Sequence, residues 1–375
     1  MNTVAVNTDN TPAAAKSAPT AVSTTTLLGL DLGTNCSALK ACPLGAEEAS
    51  FTDILPTVVG YTKDGIVSGV LPGNSTVFFG EEALRHRLHL RLVDPLEDGV
   101  VDDPQATRDF LKHVRERLDP DGKQEIRTVI GVPANADQTA RDTLREVVTG
   151  IFESVLLIPE PFLAALGVRE EKRIGTGRYI DPVNNSLFID IGAGTTDLCM
   201  IQGYYPTAQD QISIPVAGDA VDELLQESIQ RSFPDTALSI LKVRGFKEAH
   251  AFCGEPGNPI NVKVVVGGKP RTLEISHHLS DACNTLVKKI HESLIEIIPH
   301  ASSDSVEEML QNIIITGGGS QIKNIAEELQ KMLVGDGYEA PMVRTLGPEY
   351  KELVAIGALK AARQARPNQW QHLVG

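Results

Sequence analysis

The chain repeats a motif. The run Leu28-Gly29-Leu30-Asp31-Leu32-Gly33-Thr34 returns as Leu187-Phe188-Ile189-Asp190-Ile191-Gly192-Ala193-Gly194-Thr195-Thr196. Each copy is an apolar run ending in an aspartate, then a turn of Gly and Thr, then a second strand-like run at 38–41 or 198–201. Such a repeat constrains the fold to two related halves, each contributing one turn of the same chemistry. Glycine lets backbone N–H groups approach phosphate oxygens with no Cβ in the way, and threonine hydroxyls add donors. An aspartate at the end of the strand suits Mg²⁺, which keeps several waters and takes one or two carboxylates alongside phosphates. One such turn alone is more simply an ordinary hairpin. Two of them, with a third glycine run at Gly317-Gly318-Gly319-Ser320, favour a nucleoside triphosphate bound with Mg²⁺. The third run lies between an apolar stretch and an amphipathic helix, where its backbone approaches an adenine ring or ribose.

A length of 375 residues implies two or more structural units rather than one core. With 34 Lys and Arg against 49 Asp and Glu the net charge is −15, which disfavours generic attraction to nucleic acid or an anionic membrane. No apolar run approaches the roughly 20 residues of a membrane span. The five cysteines, Cys36, Cys42, Cys199, Cys253 and Cys283, are scattered and contain no C-x-x-C pair, so they read as reduced and mostly buried thiols. The first 26 residues, rich in Thr, Ala, Ser and Asn without an apolar stretch, read as a disordered tail rather than a secretory signal. The expectation is a cytoplasmic protein.

Apolar runs at 27–32, 128–132, 154–158, 187–191 and 312–316 read as strands. Between them, helical spacing appears at 140–151, 279–297 and 322–333. This alternation is an α/β pattern. The Gly-, Pro- and Asn-rich stretch 173–185 reads as the linker between halves, with the boundary near Pro182. There is no Walker sequence, no H-E-x-x-H and no G-x-S-x-G, and Gly175-Thr176-Gly177 lacks the strand and helix of a dinucleotide fingerprint. Phosphate chemistry leads. Glu160, between Pro159 and Pro161, is held stiffly where a carboxylate could orient or deprotonate water; taken alone, it reads better as the acidic first residue of a helix. The basic run Arg85-His86-Arg87-Leu88-His89-Leu90-Arg91 reads as a solvated face, and Trp370 as a packing residue.

Four segments, 28–35, 158–166, 188–197 and 314–320, resemble the phosphate 1, connect 1, phosphate 2 and adenosine segments of the actin, Hsp70 and sugar-kinase superfamily. Within it, VIGVPANAD at 129–137, PEPFLAALG at 159–167, IDIGAGTTD at 189–197 and AGDAVDELL at 217–225 resemble bacterial actins of the MreB/MamK group. RLHLRLVDPLEDGVV at 87–101 and PNQWQHLVG at 367–375 look most like the magnetosome-filament branch. The resemblance implies an actin-like fold: two duplicated α/β domains around a nucleotide cleft, each with a smaller inserted subdomain. It implies subdomain IA at 27–50, 99–182 and 346–375, IB at 51–98, IIA at 183–217 and 277–345, and IIB at 218–276.

The same resemblance implies ATP and ADP as ligands and Mg²⁺ held by Asp31 and Asp190. Phosphate contacts would come from Gly33, Thr34, Asn35 and Cys36 and from Gly192, Ala193, Gly194, Thr195 and Thr196. Adenosine contacts would come from Lys247, Glu248, Gly317, Gly318, Gly319 and Ser320. Glu160 and Asp190 would be the catalytic residues of ATP hydrolysis, Glu160 positioning the water. It implies self-assembly into filaments that organise magnetosome chains, with magnetosome-associated adaptor proteins as partners. Direct nucleic-acid binding and membrane insertion are not expected, since the tail has no amphipathic face. Cys36, Ser37 and Ala193 depart from the usual residues of the group and bear on nucleotide affinity and turnover. The alternatives are a cell-shape or plasmid-segregation filament and, less favoured, an Hsp70-like chaperone ATPase or a small-molecule kinase.

Overall fold

The computed structural model describes residues 25–177 and 179–373. Of the expected tail, residues 1–24 lie outside the described residues. Thr25 and Thr26 do not belong to a tail: they open the first strand, both at least nine-tenths buried.

The first half is built on β1 (Thr25–Leu32), β2 (Cys36–Pro43), β3 (Phe51–Pro56), β4 (Glu125–Val132) and β5 (Ser154–Pro159), in the order β3-β2-β1-β4-β5. The second is built on β6 (Ser186–Ile191), β7 (Thr196–Ile201), β8 (Gln211–Ile214), β9 (Ile313–Thr316) and β10 (Val343–Thr345), in the order β8-β7-β6-β9-β10. In both, the first three strands form an antiparallel meander and the last two run parallel to the first. The repeat read from two short motifs therefore extends through a five-stranded topology. A short strand β11 (Gln371–His372) adds to the free edge of β5 in the first sheet.

Helices cover the sheets because parallel neighbours need crossovers. They are α1 (Pro104–Leu118), α2 (Gln138–Val148), α3 (Glu160–Val168), α4 (Gly218–Ser232), α5 (Ile240–His250), α6 (Ser276–Ile297), α7 (Ile325–Gly335) and α8 (Leu353–Gln364). The starts of α1 and α2 are fixed by aspartate caps, Asp103 accepting from Ala106 N–H at 2.9 Å and Asp137 from Ala140 N–H at 2.8 Å. The apolar stripe read at 279–297 is the buried face of α6, with Leu279, Cys283, Leu286, Ile290, Leu294 and Ile297 all inside. The helix read at 322–333 starts later, at Ile325, because Gly318–Gln321 forms a separate 3₁₀ turn. No helix among the described residues is long and apolar enough to cross a membrane.

Two smaller units project from the halves. One is the antiparallel sheet Val59–Thr62, Val77–Phe79 and Leu90–Val93 with the short helix Gly80–Arg85. The basic run lies on it, with Arg85, Arg87 and Arg91 exposed. The other is α5 with the hairpin Asn261–Val266 and Lys269–Glu274.

The halves meet at a seam formed by α3 and α8. Its core takes Leu27 and Val129 from the first sheet, Phe188, Cys199 and Ile314 from the second, and Leu163, Val354, Leu359 and Trp370 between them. The two helices cross closely enough that a Cβ on Gly357 would run into the Leu163 carbonyl, and one on Gly167 into that of Leu353. Lys360 of α8 donates to the carbonyls of Leu166 at 3.0 Å and Arg169 at 2.7 Å, placing a cation on the unsatisfied end of α3.

Candidate functional site

Both phosphate-type turns open into one cleft of about 770 Å³ between the halves. Each turn closes in the same way. A Cβ on Gly33 would lie 2.7 Å from the Cys36 carbonyl oxygen, and one on Gly192 3.3 Å from that of Thr195. Each hairpin thus turns over four residues, bringing Asp31 opposite Ala38 and Asp190 opposite Asp197.

Of the residues singled out from the sequence, Asp31, Asn35, Cys36, Asp190, Gly192, Ala193, Lys247, Glu248, Gly317, Gly318 and Gly319 line this cleft. Gly317 has φ +76°, and a Cβ there would strike the Asp190 carboxylate and the Ile191 carbonyl. The third glycine run therefore packs directly against the end of β6, a close approach that only glycine permits.

Other expected contacts are otherwise engaged. The Thr196 hydroxyl is fully buried and donates to the Val216 carbonyl at 2.7 Å, so it ties β7 to the chain after β8 instead of facing a phosphate. Its counterpart in the first half, Ser37, is likewise buried on Thr57 at 2.8 Å. The Ser320 hydroxyl donates to the Gly317 carbonyl at 2.7 Å and closes its own turn. Thr34 Oγ1 accepts from Gly99 N–H at 2.9 Å, and Thr195 Oγ1 donates to Asp197 at 3.0 Å. Gly33 lies outside the lining, and Gly194 lies under the carboxylate of Asp98.

Asp31 and Asp190 both have carboxyl pKa values pushed up to about 7, chiefly by burial, with Asp190 adding its charge to Asp31 and Asp197 adding its charge to Asp190. Burial, then the charges of Asp31, Asp190 and Asp197, raises Glu160 well above the ordinary carboxylate range. Asp197 is raised by burial against hydrogen bonds from Ser213 and Thr195 that favour its ionised form. Asp31 and Asp190 line the cleft from opposite halves, and two buried carboxylates that resist ionisation suit a cation between them. Among the described residues no three His, Cys, Asp or Glu side chains converge as a ready-made metal cage. Glu160 is the first residue of α3, and Gly131 on β4 makes room for it: a Cβ there would be 2.9 Å from Glu160 Cγ.

Lys247 reaches the cleft wall already engaged, 2.7 Å from the Gly218 carbonyl and 2.9 Å from the wholly buried Asp222. Arg244 also holds Asp222, at 2.9 Å, and Asp219 at 2.6 Å. This cluster pins α5 to the start of α4, whose N–H groups at Gly218 and Asp219 in turn hold the carbonyls of Gly192 and Ala193 at 3.2 and 2.8 Å. The second turn is thereby braced from behind. Asp197, Asp98, Asp222, Arg244, Tyr350 and Lys351 carried no role in the sequence reading. For Asp197 the signal was present, because a four-residue turn from Gly192 to Thr195 sets it across from Asp190.

The MreB/Mbl protein family matches residues 56–364. The actin-like protein MamK of Paramagnetospirillum magneticum (strain AMB-1) is 31% identical over 351 residues, covering 92% of this chain and 94% of that protein. A solved MamK double helical filament superposes with a TM-score of 0.78 at 29% identity, over 91% of this chain and 99% of that one. A non-polymerising MamK mutant bound to AMPPNP superposes with a TM-score of 0.72 at 29% identity, with the same coverage. Together with the doubled topology around the cleft, these similarities show that the fold is actin-like and that the chain belongs to the MreB/Mbl family of bacterial actins.

Proposed function

We propose that this protein is an ATP-binding and ATP-hydrolysing actin that polymerises into filaments, in the role of a magnetosome-chain organiser. The observation that carries the reading is that Asp31 and Asp190, one from each half, line a single cleft with the two matching turns, with Glu160 near enough to feel the charge of both. The likeness to MamK in filament form and in an AMPPNP complex supports both the ligand class and the assembly.

In this reading Asp31 and Asp190 would hold Mg²⁺ through its waters, and the ion would neutralise phosphate charge. Backbone N–H groups of the two turns, other than that of Gly192, which donates to the Thr195 carbonyl, grip phosphate oxygens, and Gly317 to Gly319 admit the nucleoside. Glu160, raised in pKa first by burial and then by its carboxylate neighbours, accepts a hydrogen bond from the attacking water and takes its proton as the new bond forms. Because the turns belong to different halves, the triphosphate bridges them, and loss of its terminal group relaxes that bridge across the α3–α8 seam.

Light scattering and negative-stain electron microscopy of the purified protein test this. Filaments form with Mg²⁺ and ATP, and fail to form without nucleotide or in Asp190→Ala. Glu160→Ala assembles but disassembles at least tenfold more slowly. Persistent monomers with ATP, or normal disassembly in Glu160→Ala, contradict the reading.

A further inference from the structure

Two opposite ends of the molecule carry opposite charge. β3 runs parallel to β1 and ends at Pro56, paired with Cys36 of the first phosphate turn, so the small unit that follows stands at the cleft end of the first half. In that unit Val59 pairs with Val93 and Thr62 with Leu90, which puts residues 86–89 at the tip, away from the first sheet. The stretch Arg85 to Arg91 holds three arginines and no acid, in a chain of net charge −15. All three arginines are exposed and none makes an ion pair among the described residues. Between them Leu88 is 79% exposed, its carbonyl held by Lys63 at 3.1 Å.

The far end of the second half has the reverse charge. β6, β9 and β10 run parallel and their last residues open on the cleft, so the chain segments that lead into them lie at the end away from it. Two of these segments are side by side, the Met342 N–H holding the Leu310 carbonyl at 2.9 Å. Residues 301–310 and 334–342 carry Asp304, Glu307, Glu308, Asp336 and Glu339, all exposed, and no lysine or arginine. Glu308 accepts from Asn185 at 2.7 Å and Asp336 is met by His291 at 2.6 Å, which leaves Asp304, Glu307 and Glu339 with no side-chain partner among the described residues. In the same segments Val334 is 54% exposed and Met342 60%. Both faces therefore combine open apolar side chains with charge, the composition of a protein contact, and the two charges are of opposite sign.

We propose that the arginine-bearing tip at 85–91 docks on the acidic end at 304–308 and 336–342 of a second copy of this chain. Lying at opposite ends of one molecule, the two faces cannot satisfy each other within it. They are different patches of the same chain, so the contact is heterologous, and its repetition without closure extends a filament. The inference rests on the filament reading above and adds which surfaces meet and what force selects them. Exposed charges are screened beyond about 8–10 Å at ordinary ionic strength, so assembly through these faces weakens with salt.

Charge reversal at each end, read by pelleting with Mg²⁺ and ATP, tests the contact. Arg85→Glu with Arg87→Glu makes both ends acidic, and Asp304→Lys with Glu307→Lys makes both ends basic. Each double variant alone is expected to raise the critical concentration about tenfold, with AMPPNP affinity held within about twofold as the check on folding. Mixed in equal amounts, the two are expected to assemble within about threefold of wild type, because every acidic end then has a basic one to meet. Arg87→Gln and Glu307→Gln, which remove charge at similar size, are expected to shift the wild-type value by about threefold each, as does raising salt from about 0.05 to about 0.3 M. Either reversed variant assembling like wild type, or a mixture no better than its components, overturns the proposal. Normal assembly with lost binding to poly-glutamate or to anionic vesicles gives the arginine face to another partner and also overturns it. A wild type that binds AMPPNP and forms no filament overturns the filament reading, and the proposal with it.

Discussion

Asp190 faces Asp197 across its hairpin, whereas Asp31 faces Ala38 across the matching one. The repeat is therefore symmetric in backbone and asymmetric in charge, and the second half carries the denser acid. Asp31 and Asp190 rise from 3.8 to about 7, so in the nucleotide-free protein the folded state binds protons more tightly than the unfolded chain. Their contribution opposes folding progressively as pH rises from about 4 to about 7 and stays at its full size above that. Asp190→Asn is thus expected to raise the thermal midpoint of the nucleotide-free protein at pH 8 and to change it little at pH 4. A midpoint difference that does not grow with pH would contradict this. At this scale the sequence was only partly readable. The glycines and aspartates of the cleft were visible because their chemistry is in the residue type. The hydroxyls of Thr196 and Ser320 misled because a threonine or serine beside a phosphate-type turn serves equally well to bond the backbone, and only the fold shows the Val216 and Gly317 carbonyls within reach.

The crossing of α3 and α8 packs the halves together. Gly357 and Gly167 bring the two backbones together, and Gly29 lets α8 lie on β1, since a Cβ there would meet the Ala355 carbonyl and the Leu359 N–H. Gly357→Ala forces the helices apart and is expected to destabilise the protein by about 1–3 kcal/mol, the range for overpacked cores. A urea midpoint unchanged within error would show that the seam tolerates the shift. Strands and long helices were legible from periodicity, and α6 is the clearest case. The α3–α8 contact was not, because their apolar residues are nearly continuous, and nothing in a run such as Phe162-Leu163-Ala164-Ala165-Leu166 says which sheet or helix it will meet.

For the whole molecule, the duplication was the legible part: two motifs of similar sequence became two sheets that share five strands of the same order and direction, the first extended by β11. The projecting units are narrower than the expected 51–98 and 218–276, because Phe51–Pro56 joins the main sheet and Gly218–Ser232 covers the second half; short strands such as Val77–Phe79 have too few residues to show a period. The second sheet and its helices are drawn from one continuous stretch, roughly residues 186–345, whereas the first half is interrupted by it and completed by α8. Growth from the ribosome makes that arrangement a matter of timing. The second half has all its strands as soon as Val343–Thr345 has emerged, while β1 waits for a helix encoded more than 300 residues later to cover it. Nascent chains arrested at successive lengths should therefore become protease-resistant in the second half first, and β1, although made early, should be among the last strands to be enclosed.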